Sequence, residues 1–311
     1  MKFIRAFAPG TVANLGPGVD VLGLALDGVG DEVRVSRGKG NAITVEVVGP
    51  EEIPRDPAHN TAAIAASEVL RRARAEGEGL SIQVFKGLPL AGGQGGSAAS
   101  AAAAAVATDA LLGSRLSREE LLAACLAAEQ VVAGRHADNA AAALYGGLVL
   151  VRSLDPIDVV ALRYPRGLRI VLARPAQRLA TERARAALPA TLPREIALAQ
   201  AAQVGALVAA LAAGDFELLA RSVEDHIAEP SREPLLPGFA EAKRAALEAG
   251  ARGSSISGAG PSAFAFAEDE ASGKRVAEAM VAAYRARGIE AEARVFAIDA
   301  RGARVISKEE D

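Results

Sequence analysis

The sequence has little of several residue types, and each shortage excludes a class of protein. Its 311 residues include no tryptophan, one cysteine and three histidines, and the net charge is −3. One cysteine cannot form a disulfide within the chain, and because no secretory leader is visible we expect a cytoplasmic protein. A charge so near balance provides no basic surface for nucleic acid or for an anionic membrane. We therefore expect a small-molecule ligand.

Two features could suggest other chemistry, and their composition argues against both. Cys125 lies in the apolar helical stripe LLAACLAAE, with no polar neighbour to lower its pKa, so we expect a buried packing residue rather than a nucleophile. The uncharged run 87–108 is long enough to span a bilayer, but it contains Pro89, five glycines and mostly alanine. We predict no membrane span.

The order of strand and helix patterns predicts an α+β fold in two domains, residues 1–155 and 156–311. Several β-rich runs precede any helix, which does not fit a regular βαβ array. The β-rich runs of the first half are KFIRAFA, DEVRVS, AITVEVVG, LSIQVFK and GLVLVR, and its helical patterns cover 60–76, 97–112 and 117–132. Ser117 and Glu120 have the spacing of a capping box.

The second half begins with two proline-bounded strands, the later one ending in LRIVLARP. A helical block follows from about residue 181 to 249, broken at prolines and a glycine. Then come strand, glycine turn and strand in SSISGAGPSAFAFAE, a helix over 271–287 and a last strand, EAEARVFAI. This order predicts helices packed on one antiparallel sheet, and only the final SKEED is expected to be a disordered tail.

The run GLPLAGGQGGSAASAAAAAVA, residues 87–107, joins a glycine loop directly to an alanine helix. Glycines let a backbone approach a ligand closely. Ser97 lies where a hydroxyl can cap the helix, and a helix N-terminus attracts anions, phosphate above all. A plain connector leading into a packed helix is the alternative.

Two familiar phosphate motifs do not fit this run. A Walker loop needs a lysine before Ser97, and Gly96 stands there. Gly93, Gly95 and Ala98 match a dinucleotide fingerprint, but the second strand that should carry an acidic residue for the ribose is missing.

Two further stretches, PGTVANLGPGVDVLG and SISGAGPS, have the same glycine-rich character, and each alone is a weak turn signal. Together, the three stretches resemble the three motifs of the GHMP kinases, over essentially the whole chain. Within that superfamily, PGTVANLGPGVDVLGLAL, GRHADNAAAALYGG, TERARAALP and EDHIAEPSREPLLPGF are similar to the homoserine kinases.

The resemblance implies a fold, an activity and a nucleotide site. The fold would be an N-terminal ribosomal-protein-S5-like domain 2 with a left-handed βαβ crossover, then a ferredoxin-like domain, with ATP in the cleft between them. The activity would be transfer of the ATP γ-phosphate to the hydroxyl of L-homoserine, a step of threonine biosynthesis. The residues expected at ATP are Pro89, Leu90, Ala91, Gly92, Gly93, Gln94, Gly95, Gly96, Ser97, Ala98, Ala99, Ser257, Gly258 and Gly260.

Homoserine is a zwitterion, so its site needs a carboxylate for the ammonium and cations for the carboxylate. Asp20, in a glycine-flanked turn, suits the ammonium, although a plain turn residue would look the same. Arg185 and Arg232 suit the carboxylate because a guanidinium binds it in bidentate fashion. Matching family positions single them out from many arginines. The resemblance adds His136 and Asn14 as substrate contacts.

The chemistry of phosphoryl transfer is mostly positioning and charge neutralisation. The resemblance implies Mg²⁺ held by Ser97 and Glu129, since hard cations prefer oxygen ligands. Asn139 would orient the hydroxyl, with Thr181 near the transferred group. Asp138 could act as a general base, but we favour direct loss of the hydroxyl proton along the reaction path.

The chain departs from the family pattern at its glycine loop, where Gln94 and Gly96 replace the usual leucine and serine. Ser231 also stands where tyrosine is usual, and the segment between Glu129 and His136 is one residue short. Two alternatives stay open: another GHMP kinase, such as a mevalonate or diphosphocytidyl-methylerythritol kinase, and a non-catalytic nucleotide-binding paralogue. The zwitterion set argues against the first. A homodimer is also considered.

Overall fold

A seven-stranded sheet organises the first half of the chain in the computed structural model, which describes residues 3–49, 53–132 and 134–309. Its strands are β1 (Phe3–Ala13), β2 (Leu22–Arg37), β3 (Ile43–Val48), β4 (Leu80–Phe85), β5 (Leu148–Leu154), β6 (Ile157–Leu162) and, from the C-terminus, β11 (Arg304–Glu309). The order is β11-β1-β2-β4-β3, and β5 joins the start of β2 to β6. β3 and β4 are parallel, while the other neighbours are antiparallel.

Four helices cover this sheet: α1 (Thr61–Arg72), α2 (Gly96–Leu111), α3 (Arg118–Val132) and α4 (Asp138–Tyr145). Helix α2 is buried on nearly every side, between the sheet and the other helices. Alanine suits this position because its short side chain lets neighbouring elements approach closely without losing helix propensity. The alanine run is thus the central helix of the first domain.

Side chains cap the N-termini of two helices, α1 and α3. The Asn60 side chain accepts hydrogen bonds from the backbone of Ala62 and Ala63 at the start of α1. The predicted capping box of α3 is confirmed, since the Ser117 hydroxyl accepts from the Glu120 N–H and Glu120 accepts from the Ser117 N–H.

The second half forms a four-stranded antiparallel sheet of β7 (Arg169–Pro175), β8 (Ser254–Ile256), β9 (Ala263–Ala267) and β10 (Ala291–Phe296), in the order β10-β7-β9-β8. This order and the helices between the strands give the predicted ferredoxin-like arrangement. The helices are α5 (Thr181–Ala186), α6 (Arg194–Ala213), α7 (Phe216–Ala220), α8 (Ala228–Arg232), α9 (Phe239–Glu248) and α10 (Glu270–Ala286), with a 3₁₀ turn at Glu233–Leu235.

A shared apolar core joins the two halves. Leu22 and Leu24 of β2 belong to the same buried cluster as Ile170 of β7, Phe264 and Phe266 of β9. The two phenylalanine rings meet edge to face, 5.2 Å between centroids. Because this core is continuous, the cleft between the sheets has a defined geometry.

The structure differs from the sequence expectations at two elements. Ser307–Glu309 are part of β11, which pairs with β1, so a disordered SKEED tail is wrong for these residues; 310 and 311 lie outside the described residues. Pairing at a sheet edge orders polar residues whose composition alone indicates a tail. Helix α4 was not expected either. The domain boundary at 155/156 stays a prediction, and β6 and β11 pair within the first sheet.

Helix α6 has the length and apolar composition of a membrane-crossing helix, and 22% of its apolar 18-residue stretch is buried. A single helix of this kind is weak evidence for a membrane span. The expectation of no membrane partner stays a prediction.

Candidate active site

The three glycine-rich stretches meet at one cavity of about 270 Å³ between the two sheets. Most of the predicted site residues line it: Asn14, Asp20, Pro89, Leu90, Ala91, Gly92, Gly93, Gln94, Gly95, Gly96, Ser97, Glu129, His136, Asp138, Asn139, Thr181, Arg185, Arg232, Gly258 and Gly260. Ala98, Ala99 and Ser257 do not; they are fully buried beside it. The fold thus brings together residues from six separate parts of the chain.

The glycine loop needs glycine at two positions. Gly93 and Gly95 have φ of 71° and 66°, in the left-handed region that other residues avoid. A Cβ at Gly95 would overlap the Thr11 hydroxyl and lie 2.8 Å from Asn139 Oδ1. A Cβ at Gly93 would lie 2.7 Å from the Ser257 carbonyl oxygen. Conformation and lack of space both exclude a side chain.

The start of α2 is open to an anion. Its N-cap is Gly95 in a left-handed conformation, without a side-chain hydrogen bond, and Ser97 lies inside the first turn. The expectation that Ser97 caps the helix is therefore wrong, because a capping side chain belongs to the residue before the first turn. The first N–H groups have no side-chain cap and lie beside the cavity.

The second domain holds the glycine loop in place through hydroxyl donors. Ser257 donates to the Gly93 carbonyl and Ser262 to the Gly92 carbonyl, both at 2.6 Å. Ser262 was not singled out in the sequence. The only signal for it is its place in SISGAGPS, at the end of the third glycine stretch.

Asn14 joins the first glycine stretch to the third. Its Nδ2 donates to the Gly258 carbonyl at 3.0 Å, and its Oδ1 accepts from the Asp20 N–H at 3.1 Å. Asn14 and Asp20 both have positive φ, as residues in a tight turn do. The structure therefore gives Asn14 a positioning contact to each neighbour.

A buried polar cluster lies behind the glycine loop and was missed in the sequence. Asp31 is fully buried and accepts hydrogen bonds from the N–H groups of Gly87 and Leu88 and from the Ser100 hydroxyl, at 2.6–3.1 Å. Lys86 pairs with Asp31 and donates to Ser100 at 3.2 Å. Only the position of Lys86, one of six lysines and directly before the loop, could have indicated it.

Charged side chains form the opposite wall. Arg185 pairs with Asp20, with Nη2 2.7 Å from Oδ1. Arg232 is only 3% exposed, and it donates to the carbonyls of Gly258 at 2.9 Å and Ala184 at 3.2 Å. Among the described residues no carboxylate pairs with Arg232, and burial lowers its pKa. A buried guanidinium that forms no ion pair with a described carboxylate suits an anionic ligand.

A histidine and two neighbouring polar residues occupy the base of the cavity. His136 Nδ1 lies 2.9 Å from Asp138 Oδ1, which also accepts the Asn139 N–H at 2.8 Å. Burial acts to lower the pKa of His136, but the hydrogen bond and charge of Asp138 outweigh it and raise the pKa. His136 Nε2 is buried without a partner among the described residues. It can serve a ligand.

Carboxylate and imidazole atoms lie close together on this wall. One ligand atom each of Asp20, His136 and Asp138 lies within 4.8 Å of the others. The two carboxylates form a carboxylate patch, in which Asp20 pairs with Arg185 and Asp138 with His136. The patch and the buried Arg232 border the same cavity, so the cavity offers both carboxylates and a guanidinium.

Glu129 reaches the cavity from the end of α3. It is 2% exposed, and its Oε1 has no hydrogen-bond partner among the described residues. Burial raises the pKa of this carboxyl, against a hydrogen bond from Ser97 and the charge of His136, which both lower it. One turn earlier, Cys125 is buried as expected, and burial raises the pKa of its thiol.

Comparison with known proteins shows the family to which the chain belongs. The model of the GHMP kinases N terminal domain matches residues 60–147, and that of the GHMP kinases C terminal matches residues 207–286. A curated homoserine kinase from Arabidopsis thaliana is 43% identical over 313 residues, covering 98% of this chain and 85% of that protein. The chain belongs to the homoserine kinase family. As a member of this kinase family, it is a phosphotransferase that uses ATP.

Solved structures agree with that membership in the homoserine kinase family. The crystal structure of homoserine kinase from Cytophaga hutchinsonii has a TM-score of 0.93 at 38% identity, covering 98% of each chain. L. major mevalonate kinase in complex with R-mevalonate has a TM-score of 0.71 at 19% identity, covering 96% of this chain and 97% of that one. The latter shows the fold alone. The resemblance stated from the three motifs is confirmed.

Proposed function

We propose that this protein transfers the γ-phosphate of ATP to the hydroxyl of L-homoserine, giving O-phospho-L-homoserine. The observation that carries the proposal is Arg232, a buried guanidinium without a carboxylate partner among the described residues, in a cavity that also holds a carboxylate patch. A substrate with both a carboxylate and an ammonium matches this pair of features. Mevalonate has no ammonium and does not.

Substrate binding would redistribute the charges that now pair with each other. The substrate carboxylate would contact Arg232 and Arg185, and its ammonium would contact Asp20 beside Asp138 and His136. Because Arg185 and Asp20 pair with each other in the structure, the zwitterion would replace one ion pair with two. The side chains are already charged and close, so the exchange needs little reorganisation. Asn14 would keep the Asp20 turn in place.

The triphosphate of ATP would lie on the glycine loop. Backbone N–H groups at the start of α2 would donate to phosphate oxygens, and the Gly258–Gly260 turn would border them from the second domain. Glycines at 93 and 95 allow the main chain to come this close. Asn60 and Thr61 at the start of α1 also line the cavity, near the loop.

Ser97 and Glu129 are fit to hold Mg²⁺. Glu129 Oε1 is a buried carboxylate oxygen without a partner among the described residues, and the Ser97 hydroxyl lies in hydrogen-bonding reach of the same carboxyl. Both are oxygen ligands of the kind a hard cation takes. When bound, the ion would neutralise charge on the phosphate oxygens. Without a bound ion, Glu129 and Ser97 would keep each other in position.

For the acceptor, Asn139 would orient the reacting hydroxyl, and Thr181 would contact the transferred group. Asp138 is fixed by His136 and by the Asn139 N–H, so it orients these neighbours. We favour loss of the hydroxyl proton along the reaction path, without Asp138 as a general base.

We also propose the cellular setting that the sequence favours. The enzyme would act in the cytoplasm in threonine biosynthesis, with no nucleic-acid or membrane partner. A homodimer stays a prediction.

A coupled assay of ADP formation tests the proposal. We expect ADP release with ATP, Mg²⁺ and L-homoserine, and none above background with mevalonate, galactose or shikimate. Preference for mevalonate would contradict the role of the zwitterion set. Binding of ATP and homoserine by calorimetry without turnover would instead identify a non-catalytic paralogue.

A further inference from the structure

Thr11 lies between the glycine loop and the acceptor side of the cavity. It is fully buried near the end of β1, and its backbone N–H donates to the Gln94 carbonyl at 3.0 Å. Its hydroxyl donates to Asn139 Oδ1 at 2.6 Å. One residue therefore contacts both the loop for the nucleotide and the amide at the reacting hydroxyl.

The hydrogen bond from Thr11 gives the oxygen and the nitrogen of the Asn139 amide different roles. An asparagine side chain has one acceptor oxygen and one NH₂ donor. Thr11 occupies the oxygen, so the Nδ2 group is left for the cavity, and no described residue accepts a hydrogen bond from it. The missing Cβ at Gly95 is part of the same packing, since that atom would overlap the Thr11 hydroxyl and press on Asn139 Oδ1.

We propose that Thr11 is a positioning residue that fixes the Asn139 amide with its NH₂ group toward the reacting oxygens. This rests on the proposed function, which places Asn139 at the acceptor hydroxyl. Asn139 then acts as a hydrogen-bond donor to an oxygen that gains negative charge during transfer. It does not accept the hydroxyl proton. Because the Thr11 N–H holds Gln94, the same residue also sets the distance between loop and amide.

A merely structural threonine would behave differently from a positioning one. Thr11→Val keeps the shape and removes the hydroxyl, whereas Thr11→Ser keeps the hydroxyl and removes a methyl group. A matched control is Thr108→Val, because Thr108 is also fully buried but its Oγ1 has no hydrogen-bond partner among the described residues. Loss of a hydroxyl from the core is thereby separated from loss of the contact to Asn139.

The experiment measures kcat and KM for ATP and L-homoserine, with thermal unfolding of each variant. We expect Thr11→Val to lower kcat roughly tenfold while both KM values stay within about twofold, since an oriented donor acts on the transition state. Thr11→Ser should retain most of the wild-type kcat. Thr108→Val should have the kcat and KM values of the wild-type enzyme.

Other outcomes overturn the inference. Equal loss in the Ser and Val variants of Thr11 would mean a packing role, and a kcat unchanged in both would mean none. A rise in KM alone would assign Thr11 to binding. If the unchanged enzyme itself releases no ADP with homoserine, the proposed function fails first; an active enzyme indifferent to Thr11→Val contradicts only the role of Thr11.

Discussion

The two walls of the cavity present different kinds of groups. From Pro89 to Ser97 the chain has no charged side chain, and this wall offers backbone groups on a loop with two left-handed glycines. The facing wall offers the charged side chains of Asp20, Asp138 and two arginines. One wall depends on the conformation of the main chain and the other on the placement of charge.

The two walls also differ in how firmly they are held. The loop is fixed by Ser257 and Ser262 from the second domain and by Thr11 beneath it. On the charged wall, the Asp20–Arg185 pair is partly exposed and open to exchange with a ligand. We therefore expect substitutions in the loop to act on ATP use, and substitutions in the charged wall to act on homoserine binding.

The largest effect is expected from Gly95→Ala. The new methyl group would overlap the Thr11 hydroxyl, and the left-handed backbone at 95 would be strained, so the loop must change its path. We expect kcat/KM for ATP to fall at least about 100-fold, equivalent to roughly 3 kcal/mol of lost transition-state stabilisation. Steady-state kinetics with varied ATP measure it.

Gly205→Ala is the matched control for this substitution. Gly205 lies within α6, and a Cβ there meets nothing within 4 Å. Alanine at that position should leave the kinetics unchanged and stabilise the helix by about 0.5–1 kcal/mol. Normal ATP use by Gly95→Ala would break the distinction between the two walls.

The next effect is expected from Arg232→Leu on the charged wall. Leucine removes the buried guanidinium that we assign to the substrate carboxylate. The homoserine KM should rise about 100-fold, as expected if a charge-assisted contact of roughly 3 kcal/mol is lost, with KM for ATP little changed. Arg252→Leu, at a surface arginine paired with Glu217 and Glu268, should leave both KM values unchanged. An unchanged homoserine KM would refute the carboxylate role.

A smaller effect is expected from Ser97→Ala, on the side of the nucleotide. Loss of the hydroxyl should raise KM for Mg-ATP about tenfold, because one oxygen near Glu129 is removed, and leave homoserine binding nearly intact. Ser117→Ala controls for stability, since that serine caps α3 away from the cavity. The reverse pattern, with homoserine binding weakened more, would reassign Ser97 to the charged wall.

The sequence predicts the loop wall better than the charged wall, for a physical reason. Glycines at 93 and 95 stand out because positive φ and close approach demand that residue type. Arginine is abundant in this chain, and nothing local distinguishes Arg232 from a surface arginine. Its burial depends on Gly258 and Ala184, which are distant in sequence, so resemblance to a family was needed.

Contacts between distant segments account for most of what sequence analysis missed. Asp31 is an ordinary acidic residue in a β-rich run, yet the fold places Lys86 and Ser100 against it. Ser262 likewise reaches Gly92 across the domains. Strand β11 needs β1 as its partner. No local pattern carries this information, while the α+β class and most helices follow from periodicity.

The smallest effect is expected from Glu129→Gln. Glu129 lines the cavity that both walls border. Burial raises the pKa of Glu129 above its ordinary value of 4.5, so the folded protein keeps this proton to higher pH than the unfolded chain. Across that window, the free energy of unfolding falls as pH rises. Glutamine has no proton to lose, and without Mg²⁺ at neutral pH the variant should be more stable by about 1 kcal/mol, or roughly 2–4 °C in Tm.

Thermal unfolding in EDTA from pH 4.5 upward measures this difference, with Glu248→Gln as the exposed control. Addition of Mg-ADP should reverse the order of the two melting temperatures. The wild-type protein offers the cation a carboxylate ligand, and the variant does not. The same substitution would then stabilise the empty protein and weaken nucleotide binding, as expected of a buried charge kept for a cation. A variant that is less stable in EDTA and equally stabilised by Mg-ADP would show instead that Glu129 is satisfied within the protein and belongs to neither wall.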